Sequence, residues 1–79
     1  MQQTPTLGRI VLVPVAPDGN NGSGIAPAII TRVWNDTMIN VRILVDGPDV
    51  PWLTSLSYAG NLDDVAGTHA YVWTWPPRV

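Results

Sequence analysis

The chain has 79 residues, a formal net charge of −2, no cysteine, and a charged set made only of Arg and Asp. These features exclude disulfides and thiolate metal sites, and they argue against a nucleic-acid binder, which would carry a basic stripe. Because Lys and Glu are absent and eight Pro and seven Gly interrupt the chain, no stretch sustains a helix of three turns, and we predict an all-β domain.

The first half of the chain predicts a polar arm followed by three strands. Residues 1–7 form the arm, and residues 8–79 form a single domain. We place the first strand at residues 8–15, the second at 27–34 and the third at 38–45, with a flexible loop and then a tight reversal between them. The third strand alternates most cleanly, with Ile39, Val41 and Ile43 on one face and Asn40 and Arg42 on the other. The second and third strands therefore form a hairpin.

The second half predicts two further strands separated by an acidic loop. The fourth covers residues 52–57 and begins after Pro51, which suits a strand start. The fifth covers residues 68–75 and stops where Pro76 and Pro77 end backbone pairing. Five short strands at this spacing predict a small SH3-like barrel. We expect most of its core to come from eight side chains: Ile10, Leu12, Ile29, Val33, Ile39, Val41, Ile43 and Leu56.

The last predicted strand carries an aromatic stripe. Tyr71, Trp73 and Trp75 follow His69 on one face, and small residues occupy the other face. A barrel of this size does not have room for all these rings, so we expect the stripe to point outward and form an interface. The alternative is that the N-terminal arm folds over the rings and makes them a second core.

A second candidate site combines arginine with tryptophan. Arg32 shares a strand face with Trp34, and Arg42 shares one with Asn40. If these faces converge, the four side chains form a pocket that can stack on and pair with a nucleotide-like anion. The alternative is that the four arginines of the chain are scattered over the surface and pair weakly with the six Asp.

The sequence offers few groups for catalysis or metal binding. His69 can be combined with Asp63 or Asp64 and with Ser55 or Ser57, but no nucleophile-elbow pattern surrounds either serine. The Asp residues occur in turns, where they bond to the backbone, and the Gly-rich segment 19–24 lacks the Lys of a phosphate-binding loop. We therefore expect a protein without enzymatic activity, metal or cofactor.

Five short segments of the chain resemble a known group of proteins. They are GRIV at 8–11, PAIITRVW at 27–34, NVR at 40–42, WLTSLSY at 52–58 and WTWP at 73–76. In this order, and over residues 8–79, they resemble a group of short uncharacterised proteins of tailed phages and prophages. The link at 67–72 is longer than that family's usual link into WTWP. The resemblance implies a viral source and a compact β fold, and it transfers no catalytic residue.

Two functions from different classes fit a non-enzymatic phage protein. The first is an accessory structural or interaction subunit of the virion head or tail, which binds itself as a homo-oligomer or binds another viral structural protein. The second is an oligomer that sequesters a host signalling nucleotide as an anti-defence protein. The first places the protein in the virion and the second in the host cytoplasm. No apolar run approaches the ~20 residues that cross a bilayer, so we expect no membrane partner.

Overall fold

A computed structural model describes residues 3–77, and it shows an all-β domain, as the composition predicts. The strands are β1 (Ile10–Pro14), β2 (Ile25–Val33), β3 (Met38–Ile43), β4 (Trp52–Tyr58) and β5 (Val72–Trp73). A short 3-10 turn, Pro17–Gly19, interrupts the connection from β1 to β2. Residues 1–2 of the predicted arm, and Arg78 and Val79 at the other end, lie outside the described residues. In the described part, no helix is long and apolar enough to cross a membrane.

The five strands form one sheet that closes into a barrel. Strands β1 to β4 pair antiparallel in chain order, and β5 pairs parallel with β4. The sheet closes between Leu12 and Thr74, whose backbone groups exchange hydrogen bonds of 2.8 and 3.0 Å. Closure covers part of the backbone edge that β1 and β5 would otherwise expose. The predicted fold class, a small five-stranded barrel, is confirmed.

The last strand differs most from its predicted bounds. We expected a strand over residues 68–75, but β5 spans only Val72–Trp73. A parallel neighbour needs a crossover of about a dozen residues, and the segment 59–71 provides it by returning along the barrel. Residues 68–71 therefore belong to the connection, while the other four strands begin and end within a few residues of the predicted bounds.

The predicted core face is correct on β3 and β4 and wrong on β1 and the first half of β2. Ile39, Val41, Ile43 and Leu56 are buried, as expected. On the first two strands Ile10 is exposed, and Leu12 and Ile29 are only half-buried on the outside. The interior positions there are occupied by the other face: Val11, Val13, Ala26, Ala28 and Ile30.

Trp73 explains which face of β1 and β2 points inward. Its indole is 1% exposed and belongs to the core cluster. The interior of a small barrel is close-packed, so a buried indole leaves space only for small side chains opposite it. Both faces of β1 are apolar, and the face that fits is the one with the smaller Val side chains, beside the Ala side chains of β2.

A β-bulge at Thr31 separates the two halves of β2. The pairing with β3 shifts there, so that one residue of β2 is extra to the ladder. The extra residue reverses the alternation, and Ile30 and Val33 both pack on the core although strict alternation places them on opposite faces. Val33 is therefore a correct member of the predicted core set, whereas Ile29 is not.

A second bulge, at Thr54 and Ser55, lies in β4 on the other side of β3. Ser55 has a φ of +62°, in the left-handed region that non-glycine residues rarely adopt. The two bulges flank β3 at the level of Asn40, which lies opposite Arg32 on β2. The outer surface of the barrel is thus most irregular around Asn40.

Candidate binding surface

Three of the four predicted ligand-binding residues meet on the outside of β2 and β3. The guanidinium carbon of Arg32 lies 4.3 Å from the centroid of the Trp34 ring. The Nε1–H of Trp34 donates to Oδ1 of Asn40 over 2.8 Å. The indole is therefore held by a hydrogen bond at its edge and covered by a cation on one side, while half of its surface stays exposed. This arrangement makes Trp34 a fixed aromatic anchor.

The amide oxygen of Asn40 has no capacity left for a ligand. Besides Trp34, it accepts the Oγ1–H of Thr54 at 2.9 Å and the backbone N–H of Ser55 at 2.8 Å. A carbonyl oxygen has two lone pairs, so three donors saturate it. Asn40 is also buried. It positions Trp34 and the bulge of β4 through this oxygen.

Arg42 lies on the same outer surface, in the next row across the sheet. Its register partners are Ile29 on β2 and Trp52 on β4, and Ile29 in turn lies opposite Ile10 on β1. Ile10, Arg42 and Trp52 are exposed. We call the combined surface the Arg–Trp face, and its residues are Ile10, Ile29, Arg32, Trp34, Arg42 and Trp52.

Sequence reasoning found four residues near this face and missed Ile10, Ile29 and Trp52. Ile10 and Ile29 were assigned to the core because both faces of their strands are apolar. Trp52 stands first in its strand, and only the register between β3 and β4 brings it beside Arg42. Register depends on partners that are distant in the sequence, so nothing in the local pattern identifies this neighbour.

The Arg–Trp face is positively charged although the chain is acidic. Strands β2, β3 and β4 contain Arg32 and Arg42 and no Asp. The six Asp residues lie in turns and loops instead. Arg and Trp are enriched at protein interfaces and among the residues that dominate binding energy. The face therefore suits a partner with apolar groups and some negative charge.

The expectation of an outward aromatic stripe on the last strand is wrong for Trp73. That ring is in the core, and its Nε1–H donates to the carbonyl oxygen of Thr37 over 2.9 Å. Trp75 is half-buried and meets Trp73 edge to face, with ring centroids 5.1 Å apart. Tyr71 alone is exposed. The barrel accommodates one indole because the neighbouring strands contribute small side chains to its interior.

The covering of Trp75 agrees with the alternative interpretation of the stripe. The guanidinium carbon of Arg9 lies 4.9 Å from the Trp75 ring centroid, and Arg9 donates to Oε1 of Gln3 over 2.7 Å. Arg9, which directly precedes β1, therefore lies against the partly buried ring, and Gln3 of the arm binds its guanidinium. Two of the arginines, Arg9 and Arg32, have a tryptophan ring as their close contact.

A cavity of about 440 Å³ opens at the end of the barrel where β1 and β3 stop and β4 begins. Its volume is in the range of small-molecule and side-chain pockets. The exposed residues His69 and Tyr71 line it together with Asp49, so it is open to solvent. Most of its wall is apolar and comes from the strand ends: Pro14, Val15, Ala16, Ile43, Val45 and Leu53.

Three residues of the possible catalytic combination, His69, Ser57 and Asp63, lie in different parts of the barrel. His69 lines the barrel-end cavity, whereas Ser57 lies opposite Met38 at the other end of the sheet. Asp63 lines a different depression, beside Leu12 and Trp75. Among residues 3–77, no group of three His or Asp side chains is placed to hold a metal ion.

Comparison with known proteins adds no family assignment to this geometry. No family model, no curated protein and no solved structure matches the chain.

Proposed function

We propose that the chain is a non-enzymatic phage accessory protein, a structural or interaction subunit of the virion head or tail that binds its partners through the Arg–Trp face. The observation that carries the proposal is the fixed Arg32–Trp34 pair beside the exposed row of Arg42 and Trp52. Exposed aromatic and Arg side chains that are held in place lose little conformational entropy on binding, and they are typical anchors of protein interfaces. The resemblance to phage proteins supports the viral source.

The size of the domain supports a partner as well. A chain of 79 residues without cysteine buries a limited core, and small folds commonly gain stability from association. The exposed side chains of Ile10, Trp34 and Trp52 on the Arg–Trp face supply apolar surface that such an association would cover.

A second candidate function is sequestration of a host signalling nucleotide by an oligomer. The stacked Arg32–Trp34 pair favours it, since a cation beside an aromatic ring can bind a phosphate and stack on a base. Small-ligand sites are concave, however, and this pair lies on the outside of the barrel. A nucleotide site there needs a neighbouring subunit as its second wall, so the interaction subunit is better supported.

The test is incorporation of variants into virions of the phage that encodes the chain. We expect mass spectrometry of purified virions to find the wild-type protein, and we expect at least about a tenfold lower amount of Trp34→Ala/Trp52→Ala. The matched control is Leu7→Ala/Val50→Ala, which removes two equally exposed apolar side chains outside the Arg–Trp face. Wild-type protein that is absent from virions contradicts the proposal.

The nucleotide alternative has a separate measurement. It predicts a soluble oligomer whose melting temperature rises when signalling nucleotides are added, and it predicts that Arg32→Ala abolishes the rise. Catalysis in either setting would depend on His69, so a turnover that His69→Ala abolishes without unfolding the protein contradicts both functions.

A further inference from the structure

We infer that the partner of the Arg–Trp face is a second copy of this chain, and that copies join head to tail: the Arg32–Trp34 pair of one copy docks into the barrel-end cavity of the next. This inference rests on the proposed function, because it names the partner of the same surface. The pair is called the ridge below, and it consists of Arg32 and Trp34 only.

The ridge and the cavity lie at opposite ends of the barrel. Trp34 directly follows β2 and precedes β3, so the ridge is at the end where β3 begins. Ile43 at the end of β3 and Leu53 at the start of β4 line the cavity. Two different patches at opposite ends of one molecule form a heterologous contact when copies meet. Each copy then leaves one ridge and one cavity free for the next copy, and the contact repeats.

The two surfaces match in chemistry and size. Half of the Trp34 indole is exposed, and its hydrogen bond to Asn40 fixes the ring before a partner arrives. The cavity is mostly apolar and, at about 440 Å³, is of a size that accepts an aromatic ring. Burial of an immobilised indole in an apolar pocket is the arrangement that gives interface hot spots.

The charges around the cavity are mainly negative. Asp49 lines it, Asp18 lies in the 3-10 turn Pro17–Gly19 that flanks it, and Asp46 lies in the loop between β3 and β4. Arg42 stands on the outer wall of the same end of the barrel. Three carboxylates against one guanidinium leave this end acidic.

The charges at the ridge have the opposite balance. Arg32 belongs to the ridge, and Arg9 lies at the same end of the barrel because its carbonyl oxygen accepts the backbone N–H of Ile30. Asp36, in the turn between β2 and β3, adds one carboxylate at this end. Docking therefore brings Arg32 towards Asp49, and complementary charge of this kind speeds association and sets its orientation.

A complementation experiment separates this contact from a symmetric one. Trp34→Ala removes the ridge and keeps the cavity, while Ala16→Trp fills the cavity and keeps the ridge. In sedimentation we expect wild-type protein to form assemblies larger than a dimer and each variant alone to stay monomeric. An equal mixture should form dimers and nothing larger, because one intact ridge meets one intact cavity and both remaining sites are defective.

The expected loss for Trp34→Ala is at least about 30-fold in the dissociation constant, as for an aromatic hot spot. The control is Leu7→Ala, which removes an exposed apolar side chain outside both the Arg–Trp face and the cavity and should keep the assembly. Trp34→Phe keeps a ring without the Nε1–H and should lose less than Trp34→Ala. Circular dichroism of every variant checks that it folds.

A charge exchange provides a second route that leaves the Trp34 ring and the apolar wall of the cavity unchanged. Arg32→Glu and Asp49→Arg change exposed residues, so both variants should fold. We expect each variant alone to weaken self-association. A mixture of Arg32→Glu and Asp49→Arg should recover one contact, because the new carboxylate of the first variant then faces the new guanidinium of the second. Added salt should weaken the wild-type assembly.

Three results would overturn the head-to-tail contact. Each of them can be told apart from a failure of the proposed function, which virion incorporation tests separately. Wild-type protein that stays monomeric overturns the contact, while its presence in virions still supports the interaction subunit. Assemblies that survive both Trp34→Ala and Ala16→Trp show that copies associate elsewhere. Mixtures of folded variants that stay monomeric show that the ridge and the cavity are not partners.

Discussion

Trp34 and Asn40 are joined across the β2–β3 hairpin by a hydrogen bond of 2.8 Å from the indole Nε1–H to the amide oxygen. The same oxygen accepts Thr54 and Ser55 from the bulge of β4. One buried amide on the central strand therefore holds an exposed ring on one side and an irregular strand on the other. The Arg–Trp face therefore depends on a buried residue that lies between its exposed ring and the bulge of β4.

We expect Asn40→Ala to lower the free energy of unfolding by about 1–3 kcal/mol, because it leaves the donors of two partly buried hydrogen bonds, from Thr54 and Ser55, without their acceptor. Urea denaturation measures the change. Asn61→Ala is the control, since the Asn61 oxygen accepts only a local bond from the Asp63 backbone in an exposed loop. Equal stabilities for the two variants would show that water replaces the Asn40 oxygen.

Ser55→Gly should raise the free energy of unfolding by about 0.5–1 kcal/mol. The φ of +62° is unfavourable for serine and is open to glycine. The change also removes the contact between the Ser55 and Thr54 hydroxyls at 3.2 Å, which is exposed and weak. Ser55→Val is the opposite case and should destabilise the fold, because a β-branched residue tolerates this φ least. A destabilised Ser55→Gly variant would show that the hydroxyl contact with Thr54 contributes more to stability than relief of the positive φ.

The sequence predicted the fold where the pattern is regular. β3 alternates without interruption, and its buried face was assigned correctly at Ile39, Val41 and Ile43. β1 is apolar on both faces, so its inward face depends on the volume of Trp73, which comes from the other end of the chain. In β2 the extra residue at Thr31 reverses the alternation, and no turn residue marks the bulge in the sequence.

The candidate surface was predictable only in part. Alternation placed Arg32 and Trp34 on one side, and the structure stacks them. The role of Asn40 was not predictable. Its oxygen accepts the backbone N–H of Ser55 in the β4 bulge, and no residue pattern in β4 predicts that bulge. The last strand is shorter than predicted because the crossover before it has the same residue types as a strand.

Val41→Asp should unfold the domain. Val41 is fully buried at the centre of the core, and a carboxylate there has no partner. The cost is several kcal/mol, on the order of the whole stability of a small domain. Thr31→Asp, on the exposed bulge of the neighbouring strand, is the control and should stay folded. Circular dichroism at neutral pH distinguishes them, and a folded Val41→Asp protein would contradict the assigned core.

Trp73→Ala should destabilise the fold by about 3–5 kcal/mol, as expected for removal of a large buried aromatic side chain. It removes the ring that packs against Tyr58 and Trp75 and the hydrogen bond to Thr37. Tyr71→Ala, which removes an exposed ring from the same segment, should change stability by less than about 0.5 kcal/mol. Thermal melts of the two variants give the comparison. A stable Trp73→Ala protein with impaired association would restore the interpretation of the stripe as an interface.

Gly24→Ala should destabilise the barrel and loosen the crossover that carries His69 and Tyr71 to the cavity. A Cβ at position 24 would lie 2.7 Å from the backbone nitrogen of Gly67, closer than real Cβ contacts allow. The carbonyl oxygen of Gly24 accepts the backbone N–H of Gly67 at 2.9 Å and that of Val15 at 3.0 Å, so the clash strains both attachments.

Overpacking of this kind costs about 1–3 kcal/mol, and urea denaturation of Gly24→Ala should show a loss in that range. Gly60→Ala is the matched control in the same crossover, since nothing lies within 4 Å of a Cβ there and no positive φ is involved. It should change the stability by less than about 0.5 kcal/mol. Proteolysis within the crossover should also be faster in Gly24→Ala than in Gly60→Ala, because the connection through Gly67 is weakened. Equal stability and equal cleavage rates would show that the crossover is not held at Gly24.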